Sequence, residues 1–278
     1  MNHPTLTLEL ARTIESAEAH AAVDCAEMMR ELQPGKLATI DEIAGGYAVY
    51  CGPGSPVTQA VGLGLNGPVS GEEFDRLEEF YFRQGEAVRV ETCPLADASL
   101  FAEYGKRGYR VTEFSSVMAR EVVGGTGLEG QTGVEIRRAG PDELDLWTNT
   151  VAQGFAETYA VTEELLGVMK MFAMGKNAEC YLALVDGEIA GGATLAVRGR
   201  VAGFFGASTL TRFRRRGVQT ALLDVRLRRA AEANCELAVS LAQPASASER
   251  NILRSGFRVL YTRMKFEREL PAEWRSRS

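Results

Sequence analysis

Four arginines, Arg212, Arg214, Arg215 and Arg216, fall within five residues, and Gly217 follows them directly. A strand-like run ends just before this cluster, and a helix-like run begins just after it. The first turn of a helix carries unpaired N–H groups and a partial positive charge. A loop that leads into such a turn can wrap a phosphate with backbone amides. Gly217 lets the backbone come close because no side chain stands in the way. The arginines add attraction and two-pronged contacts. A pyrophosphate is the guest that fits this pattern.

Other chemistry is poorly supplied. Histidine occurs only at His3 and His20, which removes histidine-centred triads and multi-histidine metal sites from the second half. Cys25, Cys51, Cys93, Cys180 and Cys235 are scattered and odd in number, so neither a disulfide framework nor a structural zinc site is expected, and no metal is. The net charge of −6 and pI near 5.3 argue against a nucleic-acid partner. There is no secretory signal pattern and no apolar run of about 18 residues, so no membrane partner is expected and a reducing cytoplasm is the expected compartment.

The loop needs elements to hold it. Val134 to Arg138 reads as a strand, and Pro141 opens a helix carrying Leu144, Leu146, Trp147 and Val151. A second helix spans about 162–174. Asp186-Gly187 and Arg198-Gly199-Arg200 then divide an antiparallel meander whose third strand is 201–209. The helix after the loop runs from about 217 to 233, with Val218, Ala221, Leu222 and Val225 on its inward face. A strand (237–241), a helix (246–255) and a strand (258–267) complete this half. Upstream, the pattern predicts a helix over 12–33, strands at 37–50 and 57–69, and a helix opened by Ser70 and closed near Gly85. A strand at 87–93, a helix at 97–107 and a strand at 109–121 follow. The five glycines between Val122 and Gly133 mark a linker.

FRRRGVQTALL, set after a three-strand meander and two helices, resembles the signature loop of the GNAT acyltransferases. That signature is Arg or Gln, two residues, Gly, one residue, then Gly or Ala. Arg214 takes the first place and Gly217 the fourth; Gln219 stands where Gly or Ala is usual. The resemblance covers about 134–267. It implies an α/β (α+β) fold with a mixed, mostly antiparallel twisted sheet flanked by helices. It also implies that Arg214, Arg215, Arg216, Gly217, Val218, Gln219 and Thr220 wrap the pyrophosphate of acetyl-CoA, the acyl donor. Main-chain groups at Ser208, Thr209 and Leu210 would pair with the pantetheine arm. Ser248 and Asn251 lie in the second cofactor region, with helix capping as their other reading. The implied reaction is transfer of an acetyl group to a primary amine of a small molecule or peptide, by direct attack in a ternary complex. The family's tyrosine acid is replaced by Ile252. Tyr261 is the substitute, with strand packing as its alternative role. Glu157 and Tyr159 are candidates for the acceptor side, and Glu179 for a base. A non-catalytic acyl-CoA sensor is the competing reading.

Lys106-Arg107-Gly108-Tyr109-Arg110-Val111 echoes Arg254-Ser255-Gly256-Phe257-Arg258-Val259. A duplicated fold produces such an echo. The division expected is a degenerate GNAT-like domain over 1–121, a linker over 122–133 and an acyl-CoA-binding catalytic domain over 134–278, in a monomer or homodimer. Leu65 to Gly71 contains no arginine, and Glu72 and Glu73 repel a phosphate at the next helix start. The first half is therefore expected not to bind the cofactor.

Overall fold

A computed structural model describes residues 4–32, 35, 37–122, 133–156, 161–175 and 177–275. The first half contains α1 (Leu8–Leu32), β1 (Thr39–Ile43), β2 (Gly46–Tyr50), β3 (Gln59–Val61), α2 (Gly71–Phe82), β4 (Val88–Thr92), α3 (Ala98–Arg107) and β5 (Arg110–Glu121). The second contains β6 (Val134–Arg138), α4 (Leu144–Phe155), α5 (Glu163–Met174), β7 (Ala178–Val185), β8 (Glu188–Arg198), β9 (Val201–Thr209), α6 (Val218–Glu232), β10 (Leu237–Ala242), α7 (Ala247–Arg254), β11 (Arg258–Arg268) and α8 (Ala272–Arg275). The expected strand at 37–50 is a hairpin instead. Ala44 and Gly45 both have positive φ, the requirement of a tight two-residue turn. The expected strand at 57–69 shrinks to three residues, because Gly62, Gly64 and Gly67 all take left-handed or related conformations.

The chain forms two compact units, each a mixed sheet with helices on it, but they are not the two halves of the sequence. One compact unit is Leu6–Ser115 with Tyr261–Ser278; the other is Ser116–Leu260 with Met1–Thr5. The boundaries expected at 121 and 134 differ from these because two strands serve the opposite half. Residues 116–121 of β5 pair antiparallel with β10, from Leu237 opposite Glu121 to Ala242 opposite Ser116. Residues 264–268 of β11 pair antiparallel with β4, from Met264 opposite Thr92 to Arg268 opposite Val88.

In the amino-terminal unit the strand order is β1-β2-β3-β4-β11-β5. One face of its sheet is apolar. Phe74, Leu77 and Tyr81 of α2 and Leu100 and Tyr104 of α3 pack on Val88 and Val90. β11 adds Phe266, stacked on Tyr104 at 4.1 Å between ring centres. The other face, toward α1, holds a buried polar cluster. Glu15 of α1 is fully buried, and its Oε1 accepts from Tyr261 Oη at 2.7 Å and from Arg263 Nε and Nη2 at 3.1 and 3.0 Å.

In the carboxy-terminal unit the order is β5-β10-β9-β8-β7-β6, antiparallel except for β9 beside β10. α6 covers one face through Val218, Leu222, Leu223 and Leu227. Trp147 and Val151 of α4 pack with Leu182 on the other. Among the described residues no helix is long and apolar enough to cross a membrane.

Breaking a buried ion pair from one side leaves an uncompensated charge, which typically costs about 3–5 kcal/mol. Arg263→Met is therefore expected to lower stability by about that amount in urea unfolding, and Glu15→Leu/Arg263→Met by distinctly less. Equal losses from the single and double variants would show that the pair is not what Arg263 contributes.

Candidate active site

The meander sets the site. Asp186 and Gly187 both have positive φ and close the β7–β8 hairpin. Between β8 and β9 the register shifts. Gly192 faces Ser208 and Thr194 faces Phe205, so Ala193 opposes both Gly206 and Ala207. This is a β-bulge, and Gly206 takes it at φ +55°. A Cβ on Gly206 would stand 3.3 Å from the Trp147 ring and from Thr194 Oγ1, so helix α4 lies close against the bulge.

The bulge coincides with a parting of strands. β9 pairs with β10 only from Val201–Leu237 to Phe204–Ser240. Beyond Phe204 the edge of β9 that had faced β10 has no pairing with it. Leu210 N donates to Ala190 O at 2.9 Å, toward β8. Alternation along a strand then turns the main chain of Thr209 the other way, to the open side. Ser208 is buried and its hydroxyl donates to Val151 O of α4 at 2.9 Å. Its side chain is thus structural, and by the same alternation its main chain faces β8. The approach of α4 at this point needs Gly154, where a Cβ would stand 2.2 Å from Ser208 Oγ.

The arginine loop lies at the end of β9. Phe213 is buried and anchors it to the core. Arg212 pairs with Glu188 and Arg216 with Asp186, both at 2.8 Å, which ties two of the four arginines to the β7–β8 hairpin. Arg214 Nη2 donates to Gly154 O at 3.4 Å. Arg215 is exposed at φ +63°. Gly217, at φ +82°, precedes α6 and offers no side chain to cap it. The helix's first bond is Ala221 N to Gly217 O, so the amides of Val218, Gln219 and Thr220 point off the helix end. Gln219 Nε2 reaches Thr209 Oγ1 at 3.4 Å, so the side chain in the irregular signature position leans on β9.

The corresponding helix start in the amino-terminal unit is closed. Ser70 Oγ accepts from Glu73 N at 3.2 Å, and Glu73 Oε2 accepts from Ser70 N at 2.8 Å, a reciprocal capping box. Two acids stand in that first turn.

The remaining sequence candidates are placed as follows. Ser246, not Ser248, caps α7, accepting from Glu249 N at 3.1 Å. Ser248 is exposed on the first turn, and Asn251 Oδ1 accepts from Arg254. Ile252 is buried in the core of the unit. Tyr261 falls outside the unit that carries the loop. It belongs to the amino-terminal unit, where its hydroxyl is held by Glu15 and burial, then the Glu15 charge, pushes its pKa far up. Tyr104, in the tyrosine position of that unit, is likewise buried and bonded to Thr92 Oγ1 at 2.8 Å. At Glu179 burial pushes the carboxyl up, but Arg229, Tyr181 and Arg138 outweigh it and hold the pKa below the ordinary value, which suits a structural anion better than a base. Glu157 and Tyr159 lie outside the described residues. Among the described residues no cluster of three or more His, Cys, Asp or Glu can hold a metal.

One residue of the site escaped sequence reasoning. Arg226 of α6 is 1% exposed, on the helix face that the apolar spacing assigned to Val218 and Val225. Its Nε donates to Leu222 O at 2.9 Å and its Nη1 to Thr194 O at 3.2 Å, and its guanidinium stands 4.6 Å from the Phe204 ring centre. Burial pulls its pKa down to about 9, partly offset by Tyr181, so it stays charged at neutral pH.

Residues 145–257 match the sequence model of the acetyltransferase (GNAT) family. Among solved structures, a GCN5-related N-acetyltransferase from Kribbella flavida is similar at a TM-score of 0.64 and 15% identity, over 89% of this chain and 94% of that one. A tandem GNAT protein from the clavulanic acid biosynthesis pathway is similar at 0.60 and 14%, over 95% of both chains. A GCN5-related N-acetyltransferase from Sphaerobacter thermophilus is similar at 0.52 and 17%, over 66% of this chain and 60% of that one. At these identities the likeness shows a shared fold. No curated protein matches the chain in sequence.

Overpacking a tight contact typically costs about 1–3 kcal/mol. Gly154→Ala is expected to lower the unfolding free energy by about that amount, because the new methyl meets Ser208 Oγ and the strand behind it. Wild-type stability in that variant, measured by urea unfolding, would mean that α4 is not seated on β9 as described.

Proposed function

We propose that the carboxy-terminal unit binds acetyl-CoA and transfers its acetyl group to a primary amine of a small molecule or peptide. The observation that carries this reading is the uncapped start of α6 behind Gly217, adjoining the edge of β9 that β10 has left. The amides of Val218, Gln219 and Thr220 suit a pyrophosphate, with Arg214 and Arg215 adding charge beside it. The open edge of β9 at Ala207 and Thr209 suits the amide groups of a pantetheine arm, which can pair with it as a strand does. Ser248 and Asn251 of α7 remain candidates for outer contacts.

The chemistry follows from that placement. The amine attacks the thioester carbonyl, the carbonyl oxygen gains charge and the nitrogen gives up a proton; collapse then breaks the carbon–sulfur bond and releases CoA as a thiolate that takes up a proton. An amide on the bulged part of β9 can stabilise the oxyanion. Holding both reactants together supplies a large share of the rate. The base and acid are unassigned, since Tyr261 is committed to Glu15 and Ile252 carries no proton. That same fact favours the second reading, a non-catalytic acyl-CoA sensor. The amino-terminal unit, with its helix start closed by Ser70 and Glu73, is read as binding no cofactor.

Calorimetric titration of acetyl-CoA tests the assignment. One equivalent is expected to bind the wild type, and Gly217→Glu is expected to weaken binding at least tenfold, since it places a carboxylate against the helix start. No binding, or two equivalents, would overturn it. A screen of amines for thiol release then separates enzyme from sensor: a sensor binds without turnover.

A further inference from the structure

Two arginines are buried, and they are compensated differently. Arg263, 2% exposed, is matched by the carboxylate of Glu15. Arg226, 1% exposed, has no carboxylate beside it among the described residues; its partners are two carbonyls and a ring. A buried cation without a counter-ion opposes folding, and an apolar residue of the same length would not. Such a charge is retained where it serves something other than stability.

Its position shows what that is. Thr194, whose carbonyl takes the Arg226 N–H, is the β8 residue at which the ladder to β9 slips. Phe204, under the guanidinium, is the last β9 residue paired with β10, and its own carbonyl accepts from Ser240 Oγ at 3.1 Å. Arg226 therefore grips both strands where the bulge begins and β9 departs. Gly206 and Trp147 hold the bulge from the opposite face. A fixed positive charge one hydrogen bond from the bulge raises the potential at its amides, and in a dry interior that field is weakly screened.

We propose that Arg226 is a positioning residue for acyl transfer, fixing the β9 bulge and polarising, through it, the thioester carbonyl that the bulge amides receive. This rests on the acetyl-CoA reading above.

The test is isotope-edited infrared spectroscopy of acetyl-CoA labelled with carbon-13 at the thioester carbonyl, bound to the full chain. In the wild type the carbonyl band is expected to move to lower frequency on binding. Arg226→Met is expected to bind acetyl-CoA within about threefold of the wild type, by calorimetry, yet lose more than half of that shift. Arg226→Gln, which keeps an N–H for Thr194 O, serves if the methionine variant fails to fold, and is expected to lose the shift as well. Arg226→Lys, which keeps the charge, is expected to restore part of it. Intact binding with the full wild-type shift retained in the uncharged variants overturns the role of Arg226 alone. Failure of the wild type to bind acetyl-CoA overturns the cofactor reading, and this role with it.

Discussion

The site depends on the parting of β9 from β10. Parallel neighbours that stayed paired would leave no free backbone between them, and a ligand arm would find only side chains. Here the pairing stops at Phe204–Ser240, and the extra residue of the bulge at Gly206 and Ala207 supplies the bend. Everything around this point serves to hold an edge that would otherwise close. Gly154 lets α4 reach Ser208, and Gly192 admits the Trp147 indole, with a would-be Cβ 2.9 Å from Nε1. Phe213 roots the loop. The start of α6 is left without a cap at the end of the same strand.

The two units show how one fold takes opposite characters through a few side chains. Both have a helix start in the corresponding place. One is open behind a glycine in left-handed conformation; the other is sealed by Ser70 and Glu73. In the amino-terminal unit the sheet face toward α1 is occupied by Glu15, Tyr261 and Arg263. At the two helix starts the difference lies in the chemistry of a few side chains.

Much of this was legible from the residues. The strand–loop–helix unit at 201–233 has a strong pattern because the meander turns carry Asp-Gly and Arg-Gly-Arg signals and the loop has a motif. Boundaries failed where glycines gave no side-chain period, as at 57–69. The unit composition was not legible, because strand pairing between distant segments leaves no trace in local spacing: β5 and β11 read as ordinary final strands of their own halves. Tyr261 was misplaced for that reason, since its number puts it after α7 while its pairing puts it beside Glu15. Arg226 was missed because an arginine within an apolar helix face reads as a solvated one. The cue, in hindsight, was its place four residues after Leu222 and one before Leu227 on the inward stripe.

The exchanged strands also set an order of assembly during synthesis. The unit built from residues 116–260 has every one of its strands once β10 and α7 have been made. The unit that starts at Leu6 must wait for β11, whose residues 264–268 complete the pairing of β4 and whose Phe266 closes its aromatic core. The part translated first is thus the part finished last. Until β11 arrives, β4 carries an unpaired edge, and a chain stalled before residue 264 would expose it to any other strand in reach.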